Sequence, residues 1–443
     1  MTLLTVLSVY LWRNSCPYFD MSSRIKYLFK VLTEYLDIRR MRKYPERSEK
    51  SRRKKLSAIL DYARANTRHY SGMESSDWPS FDVVDKRLIR KNVNDFLVSD
   101  DVRGLCHNRT SGSTGIPFSS YQDHASYLRR ALIVKDIYWS LGYGVTKPSL
   151  VINVGDVPEW RDEEFKYNSK YVYWSVLIRS YDDKSFQRIY EFVKEHNIHI
   201  VRGYLSVIEY FTEYLVRTGS GAGPISLFLS MGEMLTEPVR SRIVNDLHSH
   251  VISIYGLEEV GIIGQSALDG QGDLIRLNKA GCFVELLGLE NDKPVPMGQP
   301  GRVVLTDFTN KAMPLIRYDI GDMAICREAL QSGEPLVIQL LECRKTDMVY
   351  STSGAPLPMV IPFSVWTFPS VRQVQFIQED VKKYALLINA DKEIDKDSLA
   401  ELVKKRVGLD AEVEIRVVDD IPVMRSGKRK MVIQNCKEYC KSV

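Results

Sequence analysis

Apolar positions recur every three or four residues from Lys54 to Tyr70, from Val83 to Phe96 and from Ala125 to Leu141, the period that gathers them on one face of a helix. The same spacing, set among many Lys and Arg, runs from Arg24 to Lys55 through Ile25, Leu28, Phe29, Val31, Leu32, Tyr35 and Leu36. In the middle of the chain the helical stretches Asp183 to His196, Leu205 to Thr218 and Glu237 to Leu247 alternate with short apolar runs. Those runs are Ser149 to Val154, Ile198 to Arg202, Ile225 to Ser230 and His250 to Tyr255. Strands separated by helices of this length make right-handed crossovers, so the pattern predicts a largely parallel sheet covered on both faces, with functional loops at the carboxyl ends of its strands.

From Asp273 the texture changes. Turn residues at Gln271-Gly272 and Pro294 to Gly301, followed by the run Arg302 to Thr306, predict hairpins of an antiparallel sheet or barrel. From about Arg344 the pattern reads strand, strand, helix, strand (Val374 to Gln378, Tyr384 to Ala390, Asp397 to Val407, Glu412 to Val418), a small separate domain of about a hundred residues.

Composition narrows this picture only modestly. A chain of 443 residues exceeds what one core supports, so two or three domains are expected. With 44% hydrophobic and 26% charged residues it is neither disordered nor fibrous. A net charge of +5 suits anionic small molecules such as nucleotides and does not require nucleic acid. The seven cysteines are odd in number and contain no Cys-x-x-Cys pair, which fits free thiols in a reducing cytosol; Cys436 and Cys440 share a helix face but lack further metal ligands nearby. The apolar run Thr2 to Trp12 is far shorter than the ~20 residues of a membrane span. Residues 1–56 form a basic helical lead-in, expected as a surface helix, with peripheral contact to an anionic membrane as the alternative.

Candidate chemistry centres on Arg109-Thr110-Ser111-Gly112-Ser113-Thr114-Gly115-Ile116-Pro117. Glycines let successive N–H groups curve around an anion, and the hydroxyls of Thr110, Ser111, Ser113 and Thr114 add donors. No Lys-Ser or Lys-Thr follows the last glycine, so this is not a Walker A loop; the flanking runs Leu105 to Arg109 and Pro117 to Gln122 predict a hairpin. Further segments fall at predicted strand ends or boundaries: Ser230-Met231-Gly232-Glu233, Tyr255-Gly256-Leu257-Glu258-Glu259, Arg317-Tyr318-Asp319-Ile320-Gly321-Asp322, Arg344-Lys345-Thr346-Asp347, and the basic Arg425-Ser426-Gly427-Lys428-Arg429-Lys430. An acid after a strand can hold magnesium on a triphosphate, an aromatic can stack on a purine, and a carboxylate such as Asp322 can accept from vicinal ribose hydroxyls.

In this order (Thr-Ser-Gly-Ser-Thr-Gly, Tyr-Gly-x-x-Glu, Arg-Tyr-x-x-Gly-Asp, Arg-x-x-Asp, Ser-Gly-Lys) the chain resembles the adenylate-forming ligases. Within them it is similar to the branch of phenylacetate-CoA ligases, coenzyme F390 synthetases and CapK-type capsular polysaccharide proteins, from roughly Lys54 to Ile433. The resemblance implies an α/β fold: an N-terminal adenylation domain over 1–343, with αβ lobes and a β-subdomain, and a small mobile α+β domain over 344–443. Carried over residue by residue, Thr110, Ser111, Gly112, Ser113, Thr114 and Gly115 would close on the β and γ phosphates. Gly232 and Glu233 would line the adenine pocket beside Tyr255 and Gly256, Asp322 and Arg344 would bind ribose, Glu259 would hold Mg²⁺, and Lys428 would reach the acyl-adenylate centre.

The implied reaction uses ATP to convert a carboxylic acid to an acyl-adenylate with release of pyrophosphate. The acyl group then passes to coenzyme A, a carrier-protein thiol or an amine, in a cytoplasmic setting that includes surface polysaccharide assembly. The alternative is a nucleotide-binding module of the same fold that has lost turnover; retention of Glu259, Asp322 and Lys428 together argues against it. Two departures stand out: Thr346 interrupts the usual Arg-x-Asp-Asp at the expected pivot, and Glu258 replaces the commoner Thr before Glu259. No zinc is expected, because Cys and His ligands are absent near Ser266. For the acid pocket, Tyr138, Trp139, Tyr173 and Trp174 are the aromatic candidates by position.

Overall fold

The computed structural model describes residues 21–73, 78–110, 118–144, 147–154, 164–168, 172–344, 349–357, 370–423, 429–436 and 438. The basic lead-in forms helix α1 (Met21–Lys43), a 3₁₀ turn (Glu46–Ser48) and helix α2 (Glu49–Asn66). α1 buries Val31, Tyr35, Ile38 and Met41 in a cluster with Ile133, Ile137 and Tyr138. The Arg42 guanidinium adds an ion pair to Asp136 at 2.7 Å. The inward face of this helix is therefore taken by the protein itself, while Phe29 and Leu36 of the expected apolar stripe point to solvent.

The single helix expected over Val83 to Phe96 is instead strand β1 (Val84–Asp85), helix α3 (Lys86–Lys91) and helix α4 (Val93–Phe96). Val84 is drawn into parallel pairing with Tyr318, and Asp85 caps α3 by accepting from the Leu88 N–H at 2.8 Å. Strands β2 (Cys106–Thr110) and β3 (Phe118–Gln122) form the expected hairpin, closing with Thr110 opposite Phe118. Helix α5 (His124–Ser140) follows, its first turn capped by Asp123.

The middle of the chain runs β4 (Ser149–Val154), β5 (Lys166–Asn168), β6 (Tyr173–Ile178), α6 (Asp183–Glu195), β7 (Ile200–Tyr204), α7 (Leu205–Arg217), β8 (Leu227–Met231), α8 (Glu237–Ser241) with a π turn (Arg242–Asp246), and β9 (His250–Leu257). β6, β4, β7, β8 and β9 are parallel neighbours in that order. The chain reverses direction across the sheet between β4 and β7, the switch point where such sheets open a crevice. One face presents Leu150, Ile152, Val176, Val201, Phe228 and Val251 to a core that also contains Phe186, Ile189, Phe211 and Leu215 from α6 and α7. The other face presents Ile200, Leu227, Leu229, Ile252 and Ile254 to α5 and α1. β6 was missed by sequence because Tyr173–Ile178 is a short run without alternation, which periodicity cannot separate from a helical segment.

Antiparallel strands β10 (Gly261–Gln265), β11 (Leu274–Leu277), β12 (Cys282–Leu287), β13 (Pro300–Asp307), β14 (Tyr318–Ala329) and β15 (Pro335–Arg344) complete the large domain. They do not form a separate sheet or barrel. β9 runs on past its parallel partner and offers its far edge to β10, so among the described residues one sheet of thirteen strands continues from the parallel to the antiparallel region. Gly256 makes this junction possible, since a Cβ there would lie 2.7 Å from the Gly261 carbonyl oxygen.

Past a short ladder of β16 (Val349–Tyr350) and β17 (Pro356–Leu357), the C-terminal region holds β18 (Val371–Asp380), β19 (Lys383–Ala390), helix α9 (Lys396–Val407), β20 (Glu412–Val417) and β21 (Val432–Gln434). The expected strand-strand-helix-strand order is present, and β21 adds a fourth strand parallel to β18. Its core of Val374, Phe376, Leu386, Leu399 and Val403 also takes in Met323 of β14 and Leu341 of β15. Among the described residues no helix is long and apolar enough to cross a membrane.

Candidate active site

The β2–β3 hairpin is tied to the turn after β9. Asn108 and Gln122 side-chain amides, one from each strand, donate to the Glu258 carbonyl at 3.2 and 2.9 Å, and Arg130 of α5 donates to it at 3.1 Å. The base of the Ser/Gly loop is thereby held beside Glu258 and Glu259. Glu258 contributes its backbone carbonyl here, which any residue at this position would supply.

Glu259 is buried at 1% exposure. Its Oε1 accepts from the Tyr318 hydroxyl at 2.8 Å and faces the Lys86 ammonium at 2.8 Å, whereas its buried Oε2 has no hydrogen-bond partner among the described residues. Burial alone would raise this carboxyl; Lys86 and Tyr318 outweigh it and hold Glu259 below its ordinary range. Burial, reinforced by the Glu259 charge, pushes the Tyr318 phenol well up, so it remains a donor. Asp322 accepts from the Tyr255 hydroxyl at 3.0 Å and stands opposite Arg344 in the β14–β15 ladder. The two segments are thus interlocked: Tyr255 of one binds the acid of the other, and Tyr318 returns the contact.

At the carboxyl end of β8, Gly232 turns the chain with φ of 75°. Glu233 then accepts from the Ser206 N–H at 2.9 Å, the Ser206 hydroxyl at 3.0 Å and the Arg429 N–H. Burial raises its carboxyl against these donors. Arg429, next in sequence to Lys428, also reaches the Glu209 carboxylate at 2.5 Å and the Tyr210 hydroxyl at 3.1 Å. Glu233 therefore anchors the C-terminal segment to the large domain, a use its place in an adenine-pocket motif does not reveal.

The structure gathers Glu259, Asp322, Tyr255 and Gly256 around the β9–β10 turn, with Thr110 ending β2 and Arg344 ending β15. Ser111, Gly112, Ser113, Thr114, Gly115, Thr346, Asp347 and Lys428 lie outside the described residues. Lys86, Arg130 and Ser206 were missed by sequence, since none belongs to a motif and each meets its partner only through the fold. Of the aromatic pocket candidates, Tyr138 and Tyr173 do line a cavity of about 230 Å³ between α5 and the sheet. Trp139 instead lies under Arg39, and Trp174 packs on Phe192 and His196 at the opposite face.

A magnesium ion fits this chemistry at one point. The partnerless, buried Oε2 of Glu259 is a hard oxygen donor, and Mg²⁺ on a triphosphate takes its remaining ligands from phosphate and water. Among the described residues no group of three or more His, Cys, Asp or Glu side chains is placed to hold a metal by itself.

Comparison with known proteins agrees with this architecture. Residues 358–435 match the CapK C-terminal domain family. The chain is 22% identical to Protein CapK of Staphylococcus aureus over 370 residues, covering 80% of this chain and 79% of that protein. A segment of 94 residues, 20% of this chain and 21% of the relative, is 32% identical to phenylacetate-coenzyme A ligase of Thermus thermophilus. In three dimensions the chain resembles the crystal structure of 2-hydroxyisobutyryl-CoA ligase in the postadenylation state (TM-score 0.67, 13% identity, 89% of this chain and 90% of that one). The fold is therefore that of the adenylate-forming ligases. Among proteins of this fold the chain is similar to the CapK-like branch, over its C-terminal domain and in its match to Protein CapK.

Proposed function

We propose that the protein is an AMP-forming ligase that uses ATP to convert a carboxylic acid to an acyl-adenylate, releasing pyrophosphate, and then transfers the acyl group to an acceptor. The observation that supports this reading is the reciprocal pairing of Tyr255 with Asp322 and Tyr318 with Glu259 at one strand junction, where Asp322 would take the ribose and Glu259 would hold magnesium. Catalysis of this kind rests on positioning and charge neutralisation, so a fixed carboxylate pair is what the first half-reaction needs. When bound, Mg²⁺ would be held at Glu259 and would neutralise phosphate charge. Thr110 to Gly115 would close on the outer phosphates, Gly232 and Tyr255 would border the base, Asp322 and Arg344 would take the ribose, and Lys428 would meet the reacting carboxylate and α-phosphate. The similarity to phenylacetate-coenzyme A ligase favours the thiol of coenzyme A as acceptor, and the similarity to Protein CapK favours a role in surface polysaccharide assembly, where an amine acceptor is the alternative.

Acid-dependent exchange of pyrophosphate into ATP tests the first step. Lys428→Ala is expected to slow it more than about a hundredfold while ATP still binds, the usual loss for one preorganised charge contact. ATP binding without exchange for any acid in a broad panel would instead identify a nucleotide-binding module of the same fold.

A further inference from the structure

Six cationic side chains among the described residues are buried: Arg52, Arg129, Lys135, Lys279, Arg302 and Arg317. Five of them meet a carboxylate, namely Glu334 for Arg52 and Lys279, Glu34 and Asp37 for Arg129, Asp292 and Asp319 for Arg302, and Glu285 for Arg317. Lys135 is the exception. It projects from α5 at 7% exposure, and its ammonium finds the Val172 carbonyl at 3.4 Å and the Tyr138 ring at 5.5 Å.

A second cation sits in the same place, also without an acid among the described residues. Arg202, on the β7 face toward α5, lies over the Tyr173 ring at 4.9 Å, and its buried Nε has no hydrogen-bond partner among the described residues. Lys135 and Arg202 both line the cavity of about 230 Å³, whose described lining contains no Asp or Glu. The third cation there, Arg130, is already committed to the Glu258 and Glu259 carbonyls and to Asp307. Burying unpaired charge is costly, and sites that do so are commonly completed by a ligand of opposite sign.

The cavity also has a direction. Arg130 stands at the Glu258–Glu259 end of α5, while Tyr138 reaches Ser149 at the amino end of β4 with 3.5 Å between their hydroxyls. Lys135 follows Arg130 by five residues, about 7 Å along a helix axis. An acid entering from the carboxyl edge of the sheet, where the adenylation motifs lie, would carry its far end toward Lys135 and Arg202.

Building on the adenylation reading, we infer that the substrate is a carboxylic acid with a second anionic group at its distal end, carboxylate or phosphate, held by Lys135 and Arg202. Burial and the neighbouring Arg202 bring the Lys135 ammonium down to about 7 when the subsite is empty, and a bound anion would raise it again.

The test uses the full chain and matched pairs of acids: glutarate against pentanoate, and a phosphorylated hydroxy acid against its parent. The wild type should prefer the member with the second anionic group in at least one pair by thirtyfold or more in kcat/KM for pyrophosphate exchange. That preference should fall at least thirtyfold in Lys135→Met and in Arg202→Met, the usual size for a lost buried charge partner, and be largely kept in Lys135→Arg. Which pair shows it distinguishes carboxylate from phosphate. Calorimetric binding of the same dianions without ATP reads the subsite independently of catalysis, and thermal unfolding of each variant checks that it is folded. Exchange with equal use of charged and neutral tails, unaltered in both variants, overturns the subsite and leaves adenylation standing. Dianion binding that weakens in both variants while no acid supports exchange upholds the subsite and overturns adenylation.

Discussion

Two pairs of cations in this protein, one fully buried and one only partly so, invite comparison. Arg52 of α2 and Lys279, before β12, lie at 2% exposure or less and share Glu334, each at 2.7 Å, so two strands of chain and one helix are stapled around a single carboxylate. Lys135 is buried and Arg202 half-buried, yet among the described residues no carboxylate lines the cavity they share. The first arrangement is complete as folded. The second has the same kind of charges without the counter-charge, and the difference marks one as architecture and the other as a place for a ligand.

The largest effect should come from converting the first pair into a copy of the second. Glu334→Gln leaves Arg52 and Lys279 buried without an anion and should destabilise the protein by about 3–5 kcal/mol in chemical denaturation. A loss under about 1 kcal/mol would mean that the staple is solvated in solution and that the comparison fails.

The reverse change is expected to stabilise. Lys135 is lowered to about 7 from the 10.5 of the unfolded chain, so between those values the unfolded state binds more protons and native stability rises with pH. The cost of the charge is therefore fully present below pH 7 and fades toward pH 10. Lys135→Met should raise unfolding free energy by about 1–3 kcal/mol at pH 6, with the gain shrinking as the pH approaches 10. A pH-independent loss of stability would show that Lys135 is a packing residue.

The smallest effect belongs to the phenol hydrogen bonds to the paired acids. Tyr318→Phe removes one donor from Glu259 while Lys86 remains, at a cost of about 1 kcal/mol. Because that donor lowers the Glu259 carboxyl, the acid limb of the pyrophosphate-exchange profile should move to higher pH. A profile that does not move would separate Glu259 from the step being measured.

Much of the fold was legible from local pattern. The β2–β3 hairpin, the alternation through β9 and the C-terminal order of strands and helix follow from periodicity and turn residues, which act over a few positions. The interruption of the helix at Val84 was not legible, because its cause is pairing with Tyr318, far along the chain. The site divides in the same way. Glu259 and Asp322 could be singled out as acids beside strand ends and glycines, but Lys86 sits in an ordinary helical pattern and only the fold brings it to Glu259. Arg429 lies in a basic stretch singled out for Lys428, and only the fold brings Glu209 and Glu233 around it.

By itself, then, the sequence determined the alternating α/β plan, the set of motif residues and the class of chemistry they resemble, because each is written in spacing and residue type. Tertiary structure alone decided that the antiparallel strands extend the parallel sheet, that Tyr255 and Tyr318 cross-link the two acidic motifs, and that Lys135 and Arg202 share one cavity with no carboxylate beside them among the described residues. A charge is matched or unmatched only with respect to what surrounds it in space, and those neighbours come from strands and helices far apart in the chain.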